Sequence, residues 1–279
     1  MFDDIKRVLT LKKRDITFKR IIEGIWRRIS SIPHLVVFYL PIGFYGRNRK
    51  KLKAFKNKYV GKRCFIVANG PSLKQIDFSL LKDEYTFGLN RIYMMKEQNG
   101  FEPTFLVCID KRSQTLQFHE DLDKLTMPCF FSFRLRKYFS KKPNQHFLQG
   151  KFSPTFQTDV TKRIGNGKTV TYAAIQLAFH MGFSEVYLIG KDHSYKADAK
   201  VGEAIKATGQ EENHFMKGYY KPGMVWDSPD LDSEEYAYYL TRDVFKKAGR
   251  VIKNATIGGK LEIFERVDFY SLFPTTKVR

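Results

Sequence analysis

The segment Asn69-Gly70-Pro71-Ser72 carries residue types that suit the binding of a phosphate group. It follows the apolar run Cys64–Ala68, which predicts a short buried strand. Gly70 permits close approach to the backbone, Pro71 fixes the turn, and Ser72 can cap a following helix. An unoccupied turn capped by Ser72 explains the same residues, so both interpretations stay open. The segment is neither a Walker loop nor a GxGxxG fingerprint, which removes the main support for an ATPase or an NAD-dependent enzyme.

Polar side chains also follow three other predicted strands, which are Tyr85–Leu89, Phe105–Ile109 and Val186–Ile189. Asn90 and Asp110 come after the first two strands and can hydrogen-bond the ribose or base of a nucleotide, or cap the next turn. After the third strand come Gly190 and Asp192, and the Asp192 carboxylate can orient a hydroxyl group or hold a neighbouring imidazole.

His214 has the most suggestive surroundings of the six histidines, because polar and aromatic residues flank it within a weakly periodic stretch, 194–229. Loops of this length in compact domains are usually functional lids or disordered segments. An imidazole on such a lid can act as the general base toward an acceptor hydroxyl. A surface histidine in a mobile loop is the alternative interpretation.

Strands that alternate with helices must position these residues. A fourth strand is predicted at Cys129–Phe133, and a helix from Thr171 to Met181 that ends at Gly182, a natural left-handed cap. The pattern predicts an α/β fold, with a Rossmann-like, mostly parallel sheet and helices on both faces. Because ligands bind at the carboxyl ends of strands in such sheets, the polar residues above are expected to meet there. We assign this domain to residues 59–279, with a lid at about 193–229.

Residues 1–58 differ from the rest of the chain in their charge. The first 63 residues hold 18 basic and four acidic side chains, so they carry +14 of the net charge of +20. One helical face is apolar, with residues at steps of three and four: Phe18, Ile21, Ile22, Ile25, Trp26 and Ile29. The uncharged run 32–46 is interrupted by Pro33 and Pro41 and is too short to span a bilayer as a simple helix.

These features predict a basic amphipathic arm on the anionic inner surface of the cytoplasmic membrane, and packing on the core or on a partner subunit is the alternative. Charge concentrated in one arm does not favour nucleic-acid binding. Three cysteines without disulfide or zinc spacing favour a reducing, cytoplasmic location. A signal peptide is not predicted, since no uninterrupted apolar core ends in small residues.

Several blocks of the chain, taken in order, resemble the bacterial sialyltransferases of glycosyltransferase family 42. These blocks are Ile66–Asp77, Asn90, Ala178–Asp192 and Asn213–Phe215. Together with residues 169–172 and 192–195, they resemble more closely the MptE-like group of uncharacterised and pterin-pyrophosphokinase-related proteins, common in bacterial surface-polysaccharide clusters. The resemblance covers about residues 60–275.

The sialyltransferase resemblance implies an inverting, metal-independent transfer of an acidic sugar from a CMP-activated donor, with a lid over the donor. It implies that Asn69, Gly70, Ser72 and Asn90 contact the nucleotide, that Asp110 lies near its sugar or phosphate, and that His214 is the base. We add four residues to the nucleotide site, namely Pro71, Thr169, Thr171 and Gly190. We add two to the catalytic group, namely Asp192 and Tyr195. Thr169-Val-Thr171 replaces smaller residues of that family, and only Tyr195, Tyr219 or Tyr220 match its phosphate-binding tyrosines. CMP-sialic acid and CMP-Kdo are therefore equally admissible donors.

The prediction is a glycosyltransferase without metal or cofactor, acting on a glycan or glycolipid acceptor in lipopolysaccharide or capsule synthesis. One alternative is a pyrophosphokinase-like transfer that uses Mg²⁺ held by carboxylates such as Asp110 and Asp192. Another is a non-catalytic, basic adaptor at the membrane surface. The sequence does not determine the sugar, the linkage or the oligomeric state.

Overall fold

The computed structural model describes residues 18–110, 115–195 and 199–274. Parts of the predicted arm (1–17) and of the predicted lid (196–198) lie outside these residues. The helices are α1 (Phe18–Ile29), α2 (Ile32–Tyr39), α3 (Gly43–Ala54), α4 (Met95–Asn99), α5 (His119–Lys124), α6 (Val170–Met181) and α7 (Leu231–Lys247). Short 3₁₀ turns include Pro71–Gln75 and Phe78–Leu81.

Seven parallel strands form the central sheet, in the order β5-β4-β3-β2-β1-β6-β9. They are β1 (Arg63–Val67), β2 (Tyr85–Leu89), β3 (Phe105–Cys108), β4 (Cys129–Ser132), β5 (Gln145–Leu148), β6 (Glu185–Ile189) and β9 (Val251–Asn254). Two further strands, β7 (Ala204–Lys206) and β8 (Val225–Asp227), pair antiparallel in a separate hairpin. The inner strands β1, β2, β3, β4 and β6 are mostly apolar, because both faces of a parallel sheet are covered. The predicted Rossmann-like α/β fold is confirmed.

The strand order reverses at β1, because β2 pairs with one of its edges and β6 with the other. The connections that leave β1 and β6 therefore diverge and open a crevice at the carboxyl ends of these strands. In doubly wound sheets a ligand binds in this crevice. Helix α6 packs across β1, β2 and β3, and Gly182 ends it in the left-handed conformation, with φ +93°.

The predicted arm divides into two parts in the structure. Helices α2 and α3 pack on the globular core, where Phe38 and Leu52 are fully buried. The Asn48 amide group bonds both the N–H and the carbonyl oxygen of Phe147 in the edge strand β5. Helix α1 instead leaves its apolar side chains exposed. In the described part of the chain no single helix is long and apolar enough to cross a membrane, and one bent pair, 21–39 with Gly43–Ala54 at 77°, meets the length and composition requirements.

Candidate functional site

A cleft of about 1550 Å³ lies at the carboxyl ends of β1, β2, β3 and β6. It is walled by the connections after these strands, by the first turns of α6 and α7, by one side of α1, and by residues 199–202, 213–214, 219–220 and 226–230. Ten of the twelve predicted site residues line this cleft, namely Asn69, Gly70, Asn90, Asp110, Thr169, Thr171, Gly190, Asp192, Tyr195 and His214. Pro71 and Ser72 begin the 3₁₀ turn behind the cleft wall.

The connections after β1 and β6 are bonded to each other at the base of the cleft. The Gly70 N–H donates to the Gly190 carbonyl oxygen at 2.8 Å. The Ser72 hydroxyl donates to Asp192 Oδ2 at 2.7 Å, and the Ser72 N–H donates to Asp192 Oδ1 at 3.2 Å. A Cβ on Gly70 would lie 1.8 Å from Asp192 Oδ2. Only glycine fits here. Of the two roles that the sequence suggested for the Asp192 carboxylate, the structure shows the orientation of a hydroxyl group, that of Ser72.

Two buried amide oxygens in the cleft wall are unsatisfied. Asn69 donates from Nδ2 to the Leu89 carbonyl oxygen at 3.0 Å. Within the described residues, Asn69 Oδ1 and Asn90 Oδ1 are buried and have no hydrogen-bond partner. Asn90 also adopts a left-handed backbone, with φ +51°. Buried acceptors of this kind are rare in proteins, and these two suit donors such as ribose hydroxyl or base amino groups.

The N-terminus of α6 faces the cleft through Thr169, Val170 and Thr171. The Thr169 hydroxyl oxygen accepts a hydrogen bond from the Thr171 N–H at 3.3 Å, so Thr169 is the N-cap. Lys168, just before it, has a left-handed backbone with φ +61° and also lines the cleft. A helix N-terminus presents free N–H groups and positive potential, and it is suited to an anion.

His214 lies over the carboxyl end of β1, because the N–H of the next residue, Phe215, donates to the Asn69 carbonyl oxygen at 2.9 Å. The imidazole stacks on Tyr219 with ring centroids 3.9 Å apart, and Tyr220 meets it edge-on at 5.1 Å. The pKa of His214 is lowered to about 4, because burial, aided by the Arg91 cation, outweighs the opposing charge of Glu211. The imidazole is therefore neutral at physiological pH.

Arg91 adds a cation to this aromatic group, and the sequence analysis gave it no role. Its guanidinium carbon lies 3.8 Å from the centre of the Phe118 ring and 5.4 Å from that of Tyr219. The side chain is buried, and in the described part of the chain Nε and Nη1 have no hydrogen-bond partner. A buried cation on an aromatic face orders that ring, so Arg91 fixes Tyr219 and, through it, the His214 imidazole.

We predict that Arg91→Met, which keeps the bulk and removes the cation, weakens this stack. The free energy of unfolding should fall by ~1–2 kcal/mol from the lost cation–π contact, and the pKa of His214 should rise because the nearby positive charge is gone. Urea unfolding and an NMR titration of the imidazole measure the two effects.

The matched control is Arg250→Met, because Arg250 lies 4.1 Å over the Phe179 ring and is not among the residues that line the cleft. It should lose stability and leave His214 unchanged. Equal titration curves for His214 in the Arg91 variant and the wild type would contradict the assigned role.

A buried ionic cluster at the end of β6 also escaped the sequence analysis. Lys191 Nζ bonds Glu234 Oε2 at 2.7 Å, and His193 Nε2 lies 3.1 Å from Glu235 Oε1. Burial acts to lower the pKa of Lys191, but the Glu234 charge and hydrogen bond, together with Tyr238 and Tyr195, outweigh it and raise the pKa. Burial and Lys191 lower the pKa of His193 to about 4. His193 keeps a left-handed backbone, with φ +53°, and such strained residues cluster at functional sites.

Only part of this cluster had a signal in the sequence. Lys191 and His193 flank the predicted Asp192, whereas Glu234 and Glu235 lie about 40 residues further along, in the first turn of α7. Across residues 18–110, 115–195 and 199–274, no group of three or more His, Cys, Asp or Glu side chains is placed to hold a metal ion.

Comparison with known protein families shows which family the chain belongs to. The model of the family described as "6-hydroxymethylpterin diphosphokinase MptE-like" matches residues 44–198, more than half of the chain. The chain belongs to this MptE-like family. The match covers the strands from β1 to β6 and the connections that follow them, and His214 and α7 lie beyond it. No curated protein matches this MptE-like chain.

Solved structures similar to this MptE-like chain include two transferases. The MAf glycosyltransferase from Magnetospirillum magneticum AMB-1 has a TM-score of 0.50 and 17% identity over 84% of this chain, which spans only 40% of the MAf chain. The sialyltransferase CstII from Campylobacter jejuni, described as solved in complex with "a substrate analogue, cytidine-5'-monophosphate", has a TM-score of 0.48 and 16% identity. The match covers 75% of this chain and 85% of the CstII chain. At these identities the likeness concerns the fold.

Proposed function

We propose that this protein is an inverting, metal-independent glycosyltransferase. It transfers an acidic sugar, of the sialic acid or Kdo type, from a CMP-activated donor to a glycan or glycolipid acceptor. Asn69 and Asn90 bind the nucleoside, the first turn of α6 binds the phosphate, and His214 is the general base.

The observation that carries this proposal is the position of His214. Its imidazole is neutral because of burial and lines the cleft. The hydrogen bond from the Phe215 N–H to the Asn69 carbonyl oxygen fixes the position of the neighbouring His214. A deprotonated base thus lies in the same cleft as the unpaired amide oxygens of Asn69 and Asn90. General base catalysis requires this proximity and this protonation state.

In the proposed reaction the acceptor oxygen bonds to the anomeric carbon as the bond from that carbon to the phosphate oxygen breaks. The acceptor proton moves to His214, and CMP leaves with the electron pair. The free N–H groups of α6 stabilise the departing phosphate. Basic side chains in the cleft wall, Arg27, Lys168 and Lys200, match the negative charges of such a donor. MAf, which shares the fold, is a glycosyltransferase.

The second candidate is a Mg²⁺-dependent diphosphokinase, and the description of the family favours it. Such a reaction needs carboxylates that hold the metal near the transferred phosphates. Asp110 and Asp192 are in the cleft, but both Asp192 oxygens accept hydrogen bonds from Ser72. This engagement of Asp192 favours sugar transfer over the magnesium mechanism.

Thermal unfolding in the presence of CMP, CDP, UDP, GDP and ATP, each with Mg²⁺ or with EDTA, separates the two candidates. A ligand at 100 times its Kd stabilises the folded state by ~2.7 kcal/mol, so the bound nucleotide stands out clearly. We expect CMP to raise the melting temperature equally with Mg²⁺ and with EDTA. A shift caused by ATP alone, and lost in EDTA, would replace the glycosyltransferase by the diphosphokinase.

A further inference from the structure

Helix α1 exposes an apolar surface for which the described residues provide no cover. Six of its side chains are 46–78% exposed: Phe18, Ile21, Ile22, Ile25, Trp26 and Ile29. The stripe continues on α2 through Ile32 and Val36, which are 53% and 56% exposed. An isolated helix of 12 residues is marginal in water, and contiguous exposed apolar patches usually mark an interaction surface.

The charges around the stripe favour an anionic partner. Between residues 18 and 58 the sequence has eleven basic residues and one acidic residue, Glu23. Glu23 pairs with Arg27 at 3.2 Å. Two copies of this surface would bring like charges together, which disfavours self-association. Anionic head groups with an apolar layer beneath them complement both the charge and the stripe.

The globular domain adds cations beside α2. Arg136 Nη1 lies 3.2 Å from His34 Nδ1 in that helix. The pKa of His34 is lowered by burial and also by the nearby positive charges of Arg136, Arg134 and Lys137. The basic surface is therefore shared by the helices and by the segment after β4, so its orientation relative to the cleft is fixed.

The opposite side of α1 faces the cleft. Glu23, Gly24 and Arg27 line the cleft, together with Ile21 at the edge of the stripe. With about 3.6 residues per turn, Gly24 and Arg27 lie opposite Ile22 and Ile29. A single helix thus separates the cleft from whatever covers the apolar face.

We propose that α1 lies in the interface of an anionic lipid bilayer, so that the cleft opens at the membrane surface and receives a membrane-anchored glycolipid acceptor. The acceptor class rests on the proposed function, whereas the membrane contact does not. The enzyme and its substrate then share one surface, and α1 forms the wall between the bilayer and the reacting groups.

The two tryptophans of the chain provide a direct test, because Trp26 is 68% exposed and Trp226 only 4%. In a Trp226→Phe background, Trp26 alone reports on α1. The vesicles contain phosphatidylcholine and about 30% phosphatidylglycerol, which gives an anionic surface. We expect these vesicles to shift the Trp26 emission to shorter wavelength. Brominated lipids should quench it. High salt should weaken binding, because it screens the head-group charge.

Ile25→Glu should weaken vesicle binding by at least about tenfold, since it places a charge in the apolar face. Val60→Glu is the matched control, because Val60 is 66% exposed and lies outside α1; it should bind vesicles as the wild type does. Both variants should keep the CMP-induced rise in melting temperature, which shows that the cleft is intact.

Three results would overturn the proposal: no emission shift with the anionic vesicles, equal binding to pure phosphatidylcholine, or a lipid-free dimer, detected by light scattering, that Ile25→Glu dissociates. The last result would assign the face to a second copy of the chain. Vesicle binding without any response to CMP would instead contradict the proposed function and leave the membrane contact standing.

Discussion

Replacement of His214 by glutamine is expected to reduce glycosyl transfer by ~10²–10⁴-fold, the usual contribution of a general base. Glutamine keeps much of the side-chain bulk between Tyr219 and Tyr220 but cannot accept the acceptor proton. CMP binding should persist, because Asn69, Asn90 and α6 are unchanged. The measurements are initial rates with a CMP-sugar donor and calorimetric titration with CMP.

His119→Gln is the control, since His119 lies outside the cleft lining and contacts the Leu116 carbonyl oxygen. It should transfer sugar at the wild-type rate. If His214→Gln retained full transfer, or lost CMP binding and transfer together, His214 would not be the base.

The pH dependence of transfer gives an independent measure of the same group. Burial lowers the pKa of His214 to about 4, so the imidazole is deprotonated, and active as a base, above that pH. We expect kcat/KM to stay level on the acid side down to about pH 5, and then to fall about tenfold per pH unit below the pKa. An acid limb near pH 6.5, the ordinary value for histidine, would indicate a solvent-exposed base.

The Gly70→Ala substitution is expected to disrupt the base of the cleft. The added Cβ would lie 1.8 Å from Asp192 Oδ2 and 2.6 Å from the Gly190 carbonyl oxygen, so both must move. The bonds between Asp192 and Ser72, and between Gly70 and Gly190, would be strained. We expect a loss of ~1–3 kcal/mol in the free energy of unfolding, as in other overpacked sites, together with weaker CMP binding.

Gly150→Ala is the matched control, because a Cβ at Gly150 meets no atom within 4 Å. Urea unfolding and CMP titration of both variants make the comparison. Wild-type stability and CMP affinity in Gly70→Ala would show that the close approach of the two connections has no part in the site.

The sheet could be read from the sequence wherever the strands are apolar. The predicted strand Tyr85–Leu89 has the observed bounds, and four others are displaced by one residue at one or both ends. Strand β5 was missed because Gln145 and His146 interrupt its apolar character. The fold buries both, with His146 stacked on Phe130 at 5.0 Å. A polar residue that finds a partner in the core has no local signal.

The arm illustrates a second limit of local patterns. Periodicity located the apolar face of α1, but the apolar character of the run 32–46 did not show which of its side chains pack on the core. In the structure Phe38 packs edge-on against Phe133 of the globular domain, with ring centroids 5.0 Å apart. Amphipathicity shows that a face needs an apolar partner and does not identify that partner.

The turn Asn69-Gly70-Pro71-Ser72 and the polar residues after β2, β3 and β6 were determined by the sequence itself, because a strand and a turn are local features. The predicted capping role of Ser72 was wrong, since Gly70 is the N-cap of the 3₁₀ turn and the Ser72 hydroxyl is bonded to Asp192. Their partners were decided only by the tertiary structure. Asp192 binds Ser72, 120 residues away along the chain, and Arg91 supports His214 through Tyr219. Contacts between distant residues depend on strand order, and the reversal at β1 is what brings them to one cleft.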